Sequence, residues 1–405
     1  MEIMKKITDT DHYQDPTPPS TAGMNFRAVV DSLTPNRGAE IVRYGRRKPD
    51  ILSLGQGEGS VPTPDFIREA AQKALMDGKT FYGPALGQEA LREELSAYYR
   101  RIYDLDIGTE RIFITGSGTT AMHLALTALL DKGDEVVAVT PIWKNLLGAV
   151  ELAQGHCAEV PLTRDNGGWK LDMQALFDAC TPKTKAILIT TPSNPTGWMM
   201  SESEMRAALD FARERGIWIV SDEVYGRTVF DAVRAPSFLD VAKPDDKLFV
   251  VNSFSKSWAM TGWRLGWLVG PAAAEEVIRD IALYDNMGPP TFSQFGAIEA
   301  LRHGEEFIQQ QVELWRKNRD IVMQRLGSME GVDLPHIDAT FYAFFKVEKH
   351  PDCMELAKHL IDEANLSLAP GCAFGKVGAS YMRLCFAVSE DKLHEALNRF
   401  EKITG

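Results

Sequence analysis

Short apolar runs alternate with amphipathic stretches through the middle of this chain. RIFIT (111–115), EVVAVTP (135–141), AILITTP (186–192), IWIVSDE (217–223), KLFVVNS (247–253) and RLGWLVG (264–270) each read as a strand. Their near-continuous apolar character is that of strands covered on both faces. Helical patterns fall between them: Thr119 to Leu130, a stretch through about Leu152, Glu202 to Arg215, and Ala272 to about Tyr284. Strand and helix in alternation predict an α/β fold, with a largely parallel sheet between two layers of helices.

The rhythm differs at the two ends. DILSLG (50–55) reads as a short strand, Thr63-Pro64-Asp65 as a helix start, Phe81-Tyr82-Gly83-Pro84 as a turn. Gln88 to Tyr103 follows as a helix with Leu91, Leu95 and Tyr98 on one stripe. After about residue 290 comes a long helix, Ser293 to Leu326, with a break expected near Gly304. Then come a strand (Thr340 to Val347), a helix (Cys353 to Ala364), a strand (Tyr381 to Val388) and a last helix from Glu390. That is the pattern of a smaller α+β domain. The expected division is 1–50 as an N-terminal arm plus part of the small domain, 51–295 as the large domain, and 296–405 as the small one. The polar, Pro-rich residues 1–25 read as an extended arm.

Composition narrows the function. The chain has 405 residues, 44% hydrophobic and 25% charged, enough for a sizeable core. Its net charge of −12 argues against nucleic-acid or anionic-membrane partners. There is no run of eighteen apolar residues and no secretory h-region at the N-terminus, so neither a membrane span nor a signal is expected. The five cysteines are scattered, without CxxC, which fits free thiols in a reducing cytoplasm. The eight histidines contain no HExxH, and no metal site is expected.

The chemistry gathers at the predicted C-terminal ends of the strands, where ligands bind in such sheets. Lys256 stands in VNSFSKSWAMTGWRLGW among Phe254, Trp258 and Trp263; desolvation there would lower its pKa and make the amine nucleophilic. Ser253, Ser255 and Arg264 on the same segment supply short donors and a planar fork for a phosphate. Ser117, Gly118 and Thr119 open a helix whose free amides favour an anion; taken alone they are also an ordinary cap. Asp222 ends an apolar strand, where it needs a cation such as a protonated pyridine nitrogen, or caps a helix. Tyr225 and Asn194 can reach a ring oxygen, and Trp143 can stack on a ring or fill core. Arg383, inside the strand YMRLCFA, needs a carboxylate from substrate or protein. The glycines of Gly55-Gln56-Gly57-Glu58-Gly59 are not a dinucleotide-binding turn, because Val61-Pro62-Thr63-Pro64 follows instead of a helix; close backbone approach to a ligand remains open.

Taken together, SFSKSWAMTGWRLGW, SNPTG, SDEVY, SGTTA, YGPALG, LGQGEG, PGCAFG and YMRLCFA resemble the class I/II aminotransferases, pyridoxal-phosphate enzymes of fold type I related to aspartate aminotransferase. The motifs run in family order from about residue 50 to 390. The resemblance implies a large domain with a mostly parallel, seven-stranded-type sheet, pyridoxal 5′-phosphate as cofactor, and a cytoplasmic homodimer. The implied reaction is transfer of the amino group of an L-amino acid to a 2-oxo acid, ping-pong through pyridoxamine phosphate. It further implies that Lys256 is the Schiff-base lysine and acid/base, that Asp222 pairs with the ring nitrogen, and that Asn194 and Tyr225 hold the ring hydroxyl. Trp143 would stack on the ring. Ser117, Gly118, Thr119, Ser253, Ser255 and Arg264 would hold the phosphate, joined by Tyr82 from the neighbouring subunit. Gly57, Asn194 and Arg383 would bind the substrate. A C–S β-lyase could use the same cofactor site. Two departures stand out: Ala339 replaces a usual glycine and is expected to narrow the pocket, and ALYDNMGPPTFSQ (282–294) lacks the arginine of dicarboxylate-specific members.

Overall fold

The apolar runs form one seven-stranded sheet. Its strands are β1 (Ile112–Thr115), β2 (Glu135–Thr140), β3 (His156–Pro161), β4 (Thr184–Thr190), β5 (Trp218–Asp222), β6 (Leu248–Ser253) and β7 (Gly266–Val269), in the order β1-β7-β6-β5-β4-β2-β3. From β6 across to β3 every neighbouring pair is parallel. Only β7 is reversed, antiparallel to both β6 and β1. The computed structural model describes residues 27–404 apart from 32 and 166, so the predicted arm at 1–25 lies outside the described residues.

The alternation of side chains along each strand feeds two cores. Val136, Ala138, Leu188, Phe249 and Val251 pack with Leu124, Val150 and Ile278 from the helices Gly118–Leu129, Lys144–Leu152 and Glu275–Asp285. Val137, Ile187, Ile189, Ile219 and Val250 pack on the opposite face with Leu91, Leu95, Met205 and Leu209. Burial on both faces is why these strands read as apolar runs without alternation.

The second sheet has four strands, Val332–Asp333, Tyr342–Val347, Tyr381–Cys385 and Ala369–Pro370, all antiparallel. Phe345 and Leu384 pack there with Leu356 and Leu360 of the helix Cys353–Ala364 and with Leu393 and Leu397 of Glu390–Thr404. Leu52–Ser53 pairs in parallel with Leu366–Ser367, tying the DILSLG segment to this end of the molecule.

The break expected near Gly304 separates Thr291–His303 from Glu305–Gly327. A Cβ at Gly304 would meet Ala300 O at 2.3 Å and Trp258 Cδ1 at 2.6 Å, so packing against the lysine segment leaves no room for a side chain. The helix expected over Gln88 to Tyr103 is α-helical at Glu89–Tyr98 and widens to a π-turn at Tyr99–Tyr103; Leu91, Leu95 and Tyr98 are buried as expected. Among the described residues, no helix is long and apolar enough to cross a membrane.

Candidate active site

Five strand ends deliver polar side chains to one place. A cavity of about 300 Å³ lies beyond the carboxyl ends of β1, β2, β4, β5 and β6. It is lined by Gly118 and Thr119 after β1, Trp143 after β2, Asn194 after β4, Asp222 and Tyr225 at the end of β5, and Ser253, Ser255 and Lys256 after β6. Arg264, Gly57 and Arg383 close it from other directions.

The lysine segment leaves the sheet at Ser253, whose hydroxyl accepts the Ser255 amide at 3.1 Å and caps the short helix Phe254–Ser257. Phe254, Trp258 and Trp267 pack against one another as tilted rings, all three buried. Lys256 Nζ donates to Gly57 O at 2.6 Å and lies 5.8 Å from the Tyr225 ring centroid. Desolvation brings the ammonium down to about 8. The buried Lys256 amine thus lies at the cavity wall.

The anion cradle is built by the helix Gly118–Leu129. Ser117 Oγ accepts the Thr120 amide at 2.9 Å and Ser117 O accepts the Ala121 amide at 2.9 Å. The amides of Gly118 and Thr119 are left free to face a ligand, with the positive end of the helix dipole behind them. Ser117 itself serves as the cap and does not line the cavity. Gly266 makes this approach possible, since a Cβ there would lie 2.5 Å from Gly118 N. Arg264 takes a left-handed conformation (φ 51°) and its Nη1 donates to Thr261 O at 2.5 Å.

Asp222 is buried and, among the described residues, accepts only the Val224 amide, at 3.3 Å. Burial raises its carboxyl to about 6, against the opposing pull of that amide and of Lys256. Arg383, also buried, donates from Nη1 to Asn194 Oδ1 at 2.8 Å and from Nη2 to Gly55 O at 2.6 Å; its Nε is buried without a partner. Because Asn194 Oδ1 is taken by a cation, its Nδ2 is the end available to a ligand oxygen.

Tyr342 also lines the cavity, a residue the sequence reading passed over. Its hydroxyl lies 2.7 Å from that of Tyr225, and the Arg383 guanidinium sits 4.3 Å over its ring. Nothing in the local sequence marks it, because Tyr225 is distant along the chain. Tyr82 does not join the others: it is 84% exposed and lines a separate surface cavity with Phe81, Met287 and Phe292. Ala339 does not narrow the cavity. It packs away from it with Val229, Ala235 and Met199. A larger cavity of about 870 Å³ adjoins the first, sharing Ser255, Lys256, Thr261 and Arg264 and reaching Trp315, Phe341 and Phe292.

Comparison with known proteins converges on one family. The family model for aminotransferase class I and II matches residues 49–400. The chain is 34% identical to a probable aspartate/prephenate aminotransferase of Aquifex aeolicus, over 87% of this chain and 91% of the relative. It is also 34% identical to aromatic-amino-acid aminotransferase 2 of Thermococcus litoralis, covering 92% and 97%. Among solved structures, a single mutant of the Thermus thermophilus aspartate aminotransferase superposes with a TM-score of 0.87 at 30% identity, covering 94% of this chain and 99% of that one.

Proposed function

The chain belongs to the class I and II aminotransferases, and from that membership we propose how its residues divide the work. It is a pyridoxal-phosphate-dependent enzyme that moves an amino group from an amino acid to a 2-oxo acid. The cavity suits that cofactor on two physical counts. Asp222 is a buried carboxylate short of partners, and two helix amides are free to meet an anion. When bound, the cofactor supplies an electrophilic aldehyde and an electron-withdrawing ring.

Asp222 would hold the positive charge on the ring nitrogen. Asn194 Nδ2 and the Tyr225 hydroxyl would donate to the ring oxygen, and Trp143 would cover one face. The Gly118 and Thr119 amides, Ser253, Ser255 and Arg264 would hold the phosphate, with Ser117 shaping the helix end. Arg383 and the Gly57 amide orient the substrate carboxylate. Lys256 Nζ, its ammonium brought down to about 8 by desolvation, would meet the aldehyde and would take and return the proton at the substrate Cα. The two half-reactions proceed in ping-pong order. The observation that carries this reading is the convergence of the desolvated Lys256 amine, the under-satisfied Asp222 carboxylate and the Arg383 fork on one cavity.

The proposed assembly is a cytoplasmic homodimer in which Tyr82 reaches the partner's phosphate. Supporting it are five free thiols and the exposed Phe81 (83%) and Tyr82 (84%), which line one surface cavity with Met287 and Phe292. A scattering mass of a single chain would refute it. The proposed division is 1–50, 51–295 and 296–405; the seven-stranded and four-stranded sheets fall on either side of its second boundary, while Leu52–Ser53 pairs across it with Leu366–Ser367.

The test of the reaction is a single turnover. Holoenzyme mixed with one L-amino acid at a time, without acceptor, should yield one equivalent of 2-oxo acid and leave the cofactor in its amine form. Release of ammonia with catalytic turnover would favour elimination instead.

A further inference from the structure

Tyr342 stands where three parts of the site meet. It is wholly buried on the second sheet, with its ring under the Arg383 guanidinium at 4.3 Å; Phe374 is the second ring against that guanidinium, at 4.7 Å. Its hydroxyl lies 2.7 Å from the Tyr225 hydroxyl. A Cβ at Gly57 would fall 2.2 Å from Tyr342 Oη, so the glycine in LGQGEG is needed to admit this hydroxyl. Gly57 O in turn receives Lys256 Nζ at 2.6 Å.

We propose that Tyr342 is a positioning residue that fixes the direction of the Tyr225 proton and seats Arg383, so that one side chain couples the cofactor-ring end of the site to the substrate-carboxylate end. This rests on the proposed reading of the cavity. Two phenols share one hydrogen bond, and each has a single proton. If the Tyr225 proton goes to the ring oxygen, the Tyr342 proton must go to Tyr225 Oη. Accepting that bond makes Tyr225 a stronger donor, since hydrogen bonds in series polarise one another. A stronger donor favours the ionised ring oxygen. The ring face of Tyr342 acts on a different group, holding the guanidinium flat by cation–π contact.

The two functions separate by substitution. Tyr342→Phe keeps the ring and loses the hydroxyl. The pH midpoint of the bound cofactor's visible spectrum should rise by roughly 0.2–0.5 pH units, with the KM for the amino acid unchanged. Tyr342→Leu should show the same spectral shift and also raise KM several-fold, by loosening Arg383. Tyr225→Phe is the reference and should shift the midpoint further in the same direction. If Tyr225→Phe shifts the midpoint and Tyr342→Phe leaves it in place, the coupling is wrong while the site reading stands. If neither shifts it, the role given to Tyr225 fails, and the coupling falls with it.

Discussion

Asp222 and Glu223 are neighbours at the end of one strand, both almost fully buried, and their surroundings are opposite. Glu223 accepts from Ser221 Oγ at 3.0 Å, Ser237 Oγ at 2.5 Å and the Phe238 amide at 3.0 Å. Asp222 has one long bond, from the Val224 amide. Burial raises both, Asp222 to about 6 and Glu223 to about 7. Titration alone therefore does not tell them apart. Partners do: Glu223 is completed by its own chain, whereas Asp222, left short, faces the cavity, where the proposed reading supplies its cation.

The sharpest test of that contrast removes what faces Asp222 across the cavity. Lys256→Ala should abolish turnover while equilibrium dialysis still detects cofactor binding through the phosphate cradle; residual transamination would break the assignment. Next, Asp222→Ala should lower kcat by about 10²–10⁴-fold, with a urea midpoint for the apoprotein no lower than wild type. Glu223→Ala should do the reverse. It strands three donors and should cost about 3 kcal/mol in urea unfolding, with a smaller loss of kcat per folded, loaded site. Equal effects of the two substitutions on stability would erase the distinction.

The smallest effect is a pH dependence. A carboxyl whose folded value is raised prefers its protonated form in the fold. Its burial cost is therefore absent below the ordinary value of 3.8 and complete above about 6. Apo Asp222→Asn should gain up to about 2–3 kcal/mol over wild type at pH 8 and nothing at pH 3. Bound cofactor should cancel most of that gain. A constant difference across this range, measured by urea unfolding at each pH, would show that the Asp222 charge is already balanced.

What the residue pattern revealed follows from burial. β2, β4, β5 and β6 are apolar because helices cover both their faces, so they were legible. The edge strand His156–Pro161 was not: it is half-exposed, and His156, Cys157 and Glu159 interrupt its apolar character. The small hairpin at Thr163–Asp165 and Gly168–Lys170 and the six-residue helix Met173–Asp178 were missed because short, exposed elements carry little periodicity. The cavity-lining residues were legible where a strand end or a glycine turn announces them, as at Gly118 and Asp222. Tyr342 was not, since its significance lies in Tyr225, Gly57 and Arg383, which only the folded chain brings to it. Glu223 was read as the last residue of a strand; its serine partners at 221 and 237 are what give it a structural purpose.

The reversed strand β7 has a mechanical consequence. The lysine segment leaves at Ser253 and returns at Gly266, and these two residues are register partners on adjacent strands. Phe254 N also donates to Leu265 O at 3.2 Å. Lys256 is thus carried on a strap stapled at both ends into the seven-stranded sheet, whereas Arg383 belongs to the other sheet. A shift of one sheet against the other would change the Lys256–Arg383 spacing with no bending of the strap. The Lys256–Arg383 span is therefore set by how the two sheets fit together rather than by the loop that bears the amine.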